Sequence, residues 1–282
     1  MKTIRLKIPQ WQGGNKSNYA FGSELLTWLA PKNANHVEID VAIPKYSGPL
    51  EKENGVVGQS VVAANIDLIN EKIQAEQPDK IIALGGDCLV SQAPFDYLHG
   101  KYGDDLGIIW IDAHPDISTP DVFYHEHAMV LGNLLEDGDP VLAAKVKAPF
   151  KSADVLYVGL QEPTSDEKKI LADLDLNYQV QKNERLSPEA IQKWLKENHF
   201  SKVVVHFDLD VLNPSEFRSL YFTEPGVTEF PSESGQMSLK EVQATFAAIS
   251  EVSEIVGLTI AEYLPWDAEN LQQLLSGISI FQ

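Results

Sequence analysis

Positive charge is in short supply in this sequence. Its 282 residues carry 22 Lys and Arg against 41 Asp and Glu, a formal charge of −19 at pH 7. Phosphate contacts need clustered Lys and Arg, so nucleic-acid binding through a broad basic face is excluded. Long apolar runs are missing as well. None approaches the roughly 20 residues of a membrane-spanning helix, and no membrane partner is expected. The opening Met1-Lys2-Thr3-Ile4-Arg5-Leu6-Lys7 alternates charged with apolar residues and lacks the apolar h-region of a secretory signal. Cysteine is nearly absent: Cys88 stands alone, so no intrachain disulfide can form. The expected compartment is a reducing cytoplasm.

What is present reads as ordinary globular chain, 44% hydrophobic and 22% charged. The length suits one α/β domain over residues 1–282, and neither repeat nor low-complexity linker divides it. Short β-branched runs fall at Thr3–Ile8, His36–Ile43, Lys80–Leu84, Leu106–Ile111, Asp154–Val158, Leu176–Val180, Lys202–Phe207 and Ile255–Ile260. Between them, Val56–Glu76, Pro188–Asn198 and Leu239–Ile249 repeat apolar residues at three- and four-residue steps, the helical period. Ser187-Pro188-Glu189 reads as an N-cap followed by Pro at the first helical position. Continuous apolar strands alternating with helices predict a three-layer α/β/α fold around a mostly parallel sheet of about eight strands. In such sheets function gathers beyond the carboxyl ends of the strands.

Three of those ends carry chemistry. Ile108-Ile109-Trp110-Ile111 leads into Asp112-Ala113-His114-Pro115-Asp116. Residues at i, i+2 and i+4 share a side of an extended chain, so Asp112, His114 and Asp116 converge if the chain stays extended past the strand. Val203-Val204-Val205-His206-Phe207 leads into Asp208-Leu209-Asp210, a second spaced pair of carboxylates. One Asp at a strand end is commonly a helix cap or an Asx-turn. Two such clusters with a histidine point instead to divalent cations, which relieve the repulsion among buried carboxylates. His206, two residues before Asp208, is either a supporting partner on that face or core packing. The third end is Ile81-Ile82-Ala83-Leu84 followed by Gly85-Gly86-Asp87-Cys88. Its glycines allow a sharp turn and a close approach, and no Walker lysine follows.

Gly85-Gly86-Asp87-x-x-x-Ser91, Asp112-Ala113-His114-x-Asp116 and Phe207-Asp208-Leu209-Asp210-x-x-Asn213-Pro214, in this order, resemble the ureohydrolases, the arginase and agmatinase superfamily. The likeness runs from about Ile81 to Pro265. It implies an arginase-like fold, a binuclear manganese centre, and hydrolysis of a guanidino group to urea and an amine. By the same resemblance, Asp112 and Asp208 would bridge two metals. Asp116 and Cys88 would complete one shell, and His114 and Asp210 the other. His127 would pass a proton to the leaving amine, with His125 its rival, and Glu262 would orient the substrate guanidinium. His127, Glu262 and Asp116 are thus the catalytic candidates. The resemblance also implies a homo-oligomer, a trimer or hexamer.

The departures matter as much. Cys88 stands where the family usually has a histidine, and a thiolate is soft, favouring zinc, iron or copper over manganese. The alternatives to Mn2+ are therefore Zn2+, Ni2+ or Fe2+, with the Cys88 site the weaker of two. Asn213 stands where an acid is common before Pro214. The loop Ser118–Tyr124 ends in aromatics, Gln161-Glu162-Pro163 lacks the acidic spacing of arginases, and Tyr221–Gly226 replaces a Gly-Thr-Pro-rich loop. The expected substrate is a small cationic guanidino or amidino compound other than free arginine. Two further readings stay open: an amide hydrolase of the same fold, and a weakened ureohydrolase-like binding protein.

Overall fold

The computed structural model describes residues 1–46, 48–182 and 185–281. Its strands are β1 (Thr3–Ile8), β2 (Val37–Asp40), β3 (Lys52–Glu53), β4 (Val56–Val57), β5 (Lys80–Gly85), β6 (Leu106–Ile111), β7 (Val155–Val158), β8 (Lys202–Asp208) and β9 (Glu254–Ala261). Its α-helices are α1 (Asn18–Leu29), α2 (Gln59–Glu76), α3 (Gln92–Tyr102), α4 (Val130–Leu134), α5 (Pro140–Ala143), α6 (Ser165–Asp173), α7 (Pro188–Glu197), α8 (Leu239–Ser250) and α9 (Trp266–Ser276). Seven strands make one sheet in the order β2-β1-β5-β9-β8-β6-β7. Every neighbouring pair in it runs parallel. β3 and β4 form a separate hairpin.

Burial explains the three layers. In β6, Ile108 and Trp110 face the apolar cluster that includes Ile66, Ile69 and Ile73 of α2 and Phe95 and Leu98 of α3. Ile109 and Ile111 face the opposite cluster, with Ile191 and Leu195 of α7 and Val242 and Ile249 of α8. Side chains alternate between faces, so a strand covered on both must be apolar at every position, as β6 is. The cap expected at Ser187 is present: its side chain accepts from the Ala190 N–H at 3.2 Å, and Pro188 opens α7.

Two expectations change. Leu176–Val180 is not a strand, which leaves seven strands in the sheet rather than about eight. Leu176 is buried where α6 ends, its N–H donating to Leu171 O at 2.9 Å. The chain then runs irregularly until Gln181 N–H meets Leu160 O at 2.8 Å. One anchored residue and one backbone bond do not make a ladder. The long helix starts at Gln59 instead of Val56 because Gly58, at φ +69°, breaks the helical backbone. Val56 and Val57 pair instead with Glu53 and Lys52 across an Asn54-Gly55 turn with both φ values positive. Among the described residues no helix is long and apolar enough to cross a membrane.

Candidate metal centre

The four adjacent strands β5, β9, β8 and β6 end side by side at the middle of the sheet. After β5 the chain turns sharply against Gln10. Gly86 N–H donates to Ile8 O at 3.1 Å and Asp87 N–H to Gln10 O at 3.1 Å. A Cβ on Gly86 would lie 1.5 Å from Gln10 O, so the turn admits glycine alone. Buried Asp87 pins it by accepting from Gln10 Nε2 at 3.1 Å, Gly14 N–H at 3.1 Å and Leu89 N–H at 3.2 Å. Burial pushes the Asp87 carboxyl up to about 6. This turn delivers Cys88 into the centre. After β9, Glu262 N–H donates to Gly86 O at 2.7 Å, and Glu262 takes a left-handed φ of +61°. Such a backbone at a non-glycine residue persists only where its surroundings enforce it.

The ends of β6 and β8 are built alike. Asp112 Oδ1 accepts from His114 N–H at 2.7 Å, and Asp208 Oδ1 accepts from Asp210 N–H at 2.7 Å. Each aspartate spends one oxygen on a tight turn and turns the other inward. Asp208 Oδ2 lies 2.9 Å from Cys88 Sγ, and Asp112 Oδ2 lies 3.1 Å from Trp110 Nε1. Turn-forming and ligand-like behaviour therefore coexist in the same residue. The chain does not stay extended past β6, however: it bends over Asp112–His114, and Asp116 adopts φ +50°.

Among the described residues four groups of ligand-capable atoms result, each with all its atoms within 4.8 Å of one another. They are Cys88, Asp112, His206 and Asp208; Asp112, His114 and Asp210; Asp208, Asp210 and Glu262; and Cys88, His127 and Glu262. Five of the six expected ligands come together here. Asp116 joins none of these groups, although it is buried beside them with Oδ2 lacking a hydrogen-bond partner. His206 was legible from its two-residue spacing to Asp208, but only as a neighbour; its place among the ligand-capable atoms was not.

Asp112, Asp116, Asp208, Asp210 and Glu262 are all at most 4% exposed. Burial, then the facing carboxylates, pushes Asp208 and Asp116 well above the usual carboxylate range. Burial also lifts Asp210, to about 6. Asp112 goes the other way, because His114 and His206 outweigh its burial. His114 Nε2, His206 Nε2, Asp116 Oδ2 and Asp210 Oδ1 are buried without a hydrogen-bond partner. His206 Nε2, unpaired 3.5 Å from Asp112 Oδ2, and His114 Nδ1, 3.0 Å from Asp210 Oδ2, set imidazole nitrogens among crowded carboxylates, and divalent cations would satisfy both at once.

Glu262 closes the other side. Its Oε2 accepts from Tyr19 Oη at 2.7 Å, and its Oε1 lies 2.8 Å from His127 Nδ1 and 3.4 Å from Cys88 Sγ. Of the two candidate histidines, His127 reaches this cluster, whereas His125 joins no ligand-capable group. Burial holds His125 down to about 4. The half-buried members His114 and His127 mark the open side, and aromatic rings flank it. Phe222 stacks 6.0 Å from His114, and Phe123 lies 6.4 Å from His127.

Comparison with known proteins bears on kinship and fold. The Arginase family model matches residues 24–278. Arginase-1 of Xenopus laevis is 28% identical over 130 residues, 42% of this chain and 41% of that protein. The chain thus spans about two-fifths of that curated relative's length. The arginase of Plasmodium berghei (strain Anka) is 25% identical over 232 residues, covering 75% of this chain and 61% of that protein. Among solved structures, Entamoeba histolytica arginase in complex with L-ornithine superposes with a TM-score of 0.78 at 20% identity, over 98% of this chain and 99% of that one. Proclavaminate amidino hydrolase from Streptomyces clavuligerus gives 0.66 at 15% identity, over 94% and 84%. These structural matches share the three-layer fold, and the family match settles kinship: the chain belongs to the arginase family.

Proposed function

We propose that the protein is a metal-dependent hydrolase that cleaves the C–N bond of a guanidino or amidino compound and releases urea and an amine. The observation that carries this reading is the meeting of Asp112, His114, Asp208 and Asp210 at two adjacent strand ends with buried, unpaired donor atoms. Asp112 and Asp208, the pair that the resemblance gives as shared between two ions, meet in one group and each belongs to a second, so both could serve two ions. Asp112, His114 and Asp210 supply an oxygen-rich set with one imidazole, which suits manganese. Asp116 is retained as a supporting carboxylate whose unpaired oxygen faces no hydrogen-bond donor.

A divalent cation bound here supplies Lewis-acid polarisation and lowers the pKa of water. The chain's own residues do the rest. Tyr19, kept protonated by burial and by Glu262, fixes that carboxylate from one side. Glu262 then presents its oxygens to the planar guanidinium, matching two N–H groups. Glu262 also raises His127 against its burial, so the imidazole holds its proton more tightly than a free one. As water oxygen bonds to the guanidinium carbon and the C–N bond breaks, His127 protonates the departing amine. Overall, guanidinium plus water gives urea plus an ammonium ion.

The substrate's tail is inferred from the rim. Phe222 beside His114 and Phe123 beside His127 place aromatic rings next to the two half-buried histidines, surroundings that suit a cation. Lys16, which lies over Tyr221 and Trp266, pairs with Glu224 at 2.6 Å, so a substrate carboxylate would have to compete with that glutamate for it. A guanidino compound lacking arginine's amino-acid head fits this rim better than free arginine. The expected trimer or hexamer needs apolar surface to bury, and α9 leaves Leu271 and Leu274 exposed. Sedimentation of wild type and Leu274→Glu checks that assembly, with a smaller species expected for the variant.

The reaction is tested by urea release from a panel of guanidino compounds, free arginine included, after loading with Mn2+. Urea from at least one member, abolished by Asp210→Asn, supports the reading. Release of free carboxylate from acylated amines without urea would move the chain to amide hydrolysis. No product from either panel would leave a binding protein.

A further inference from the structure

The family-like roles leave His206 unused, although it is fully buried at the centre of the sheet. Strand register places it in one row with Trp110 of β6 and Thr259 of β9, on the face that also carries Asp112 and Asp208. Its ring is fixed from two sides. Trp110 stacks on it with centroids 3.8 Å apart and planes 18° from parallel. Its Nδ1 lies 2.8 Å from Ser91 Oγ and 3.2 Å from Thr259 Oγ1, and those hydroxyls are 2.7 Å from each other. With Nδ1–H donated to Ser91, the lone pair of Nε2 is left on the opposite edge. There Nε2 is buried with no hydrogen-bond partner, 3.5 Å from Asp112 Oδ2. Holding one imidazole nitrogen so that the other is aimed and basic is how proteins prepare a metal-ligating histidine.

We propose that His206 Nε2, Cys88 Sγ, Asp112 and Asp208 form a four-donor cation site, one sulfur, one nitrogen and two oxygens, selective for zinc or another thiophilic ion. The inference rests on the metal-centre reading above and assigns one of its two positions a different ligand set from the expected Cys88 and Asp116. All four ligand-capable atoms lie within 4.8 Å of one another, and all four residues are buried. Cys88 has lost the imidazole that the resemblance led one to expect at its position, and His206 supplies an imidazole from the neighbouring strand β8. Cys88 Sγ already meets Asp208 Oδ2 at 2.9 Å, a contact held by a thiol proton that a cation would displace. Four donors including sulfur and imidazole match the tetrahedral preference of zinc, whereas manganese prefers more oxygens. The pair of positions is therefore unlike: Asp112, His114 and Asp210 make an oxygen-rich one, and the Cys88–His206 set makes a soft one.

The test follows Co2+ titration of the chelator-treated protein by absorption, with zinc X-ray absorption on the same samples. The expected result is a sulfur-to-cobalt charge-transfer band that saturates at one ion per chain, and a zinc shell containing one sulfur and one imidazole nitrogen. Cys88→Ser should abolish the band. His206→Gln, confirmed folded by circular dichroism, should weaken that ion's binding at least about tenfold, the scale on which loss of supporting groups around a metal is felt. Asp210→Asn should keep the band, because Asp210 is outside this donor set. Cobalt bound without a sulfur band, or full affinity in His206→Gln, overturns the inference while leaving the metal centre standing. If wild type binds no cobalt at all, the inference and the metal-centre reading fall together.

Discussion

His127 Nδ1 lies 2.8 Å from Glu262 Oε1, joining the expected proton donor and the expected substrate anchor in one pair, the histidine half-buried and the glutamate buried. Burial opposes charge on both, yet their mutual attraction raises His127 and lowers Glu262. The His127 contribution to stability is fully present below about 6.5 and is lost as pH rises through its raised folded value. The Glu262 contribution is present above about 4.3 and is lost as pH falls through its lowered folded value. Histidine NMR titration of the metal-free protein should place the His127 midpoint above the ordinary range. Glu262→Gln should bring it down, because the neighbouring carboxylate is what raises it against burial. An identical midpoint in both proteins would mean that the pair does not govern His127.

Glu126, next to His127 in sequence, behaves oppositely. Burial and then nearby Asp139 push its carboxyl up to about 8, with Asn133 Nδ2 at 3.2 Å opposing. Its protonated form is the stable one in the fold, so that contribution is fully present below about 4.5 and gone above about 8. Stability should decline by about 1.4 kcal/mol per pH unit across that window from this group alone. Glu126→Gln, which mimics the neutral acid, should match wild type at pH 5 in urea unfolding and exceed it at pH 8. Parallel pH curves for the two proteins would show that Glu126 is not the source.

Two glycine substitutions, one in the turn after β5 and one inside α3, should act with opposite sign. Gly86→Ala drives a Cβ into Gln10 O, which is backbone and cannot swing away. A loss of about 3 kcal/mol is expected. Gly100→Ala, inside α3 with only Ala148 Cβ at 3.6 Å, should gain up to about 1 kcal/mol. Urea midpoints of the two variants check the contrast.

Much of this was written in local pattern. The runs of β6 and β8 announced buried parallel strands, and Asp112, His114, Asp208 and Asp210 followed at the ends where such sheets place their chemistry. Leu176–Val180 misled because a short apolar run does not reveal whether a neighbour is there to pair with it. Asp116 stands outside the compact groups because spacing assumes an extended chain, and the Asp112 turn bends it. His206 could be placed on the right face but not aimed, since its direction depends on Ser91 and Thr259 from distant segments. Glu262 became readable only through resemblance; its left-handed backbone is imposed by contacts that no local pattern carries.

The central claim is that the crowded carboxylates and imidazoles at these strand ends hold divalent cations. Elemental mass spectrometry of protein equilibrated with manganese and zinc, then desalted, tests it most directly. Two ions per chain are predicted for wild type. Asp112→Asn should lose both, because Asp112 belongs to the soft and the oxygen-rich sets alike. Metal no higher than the buffer blank in wild type, or undiminished metal in Asp112→Asn, would contradict the account.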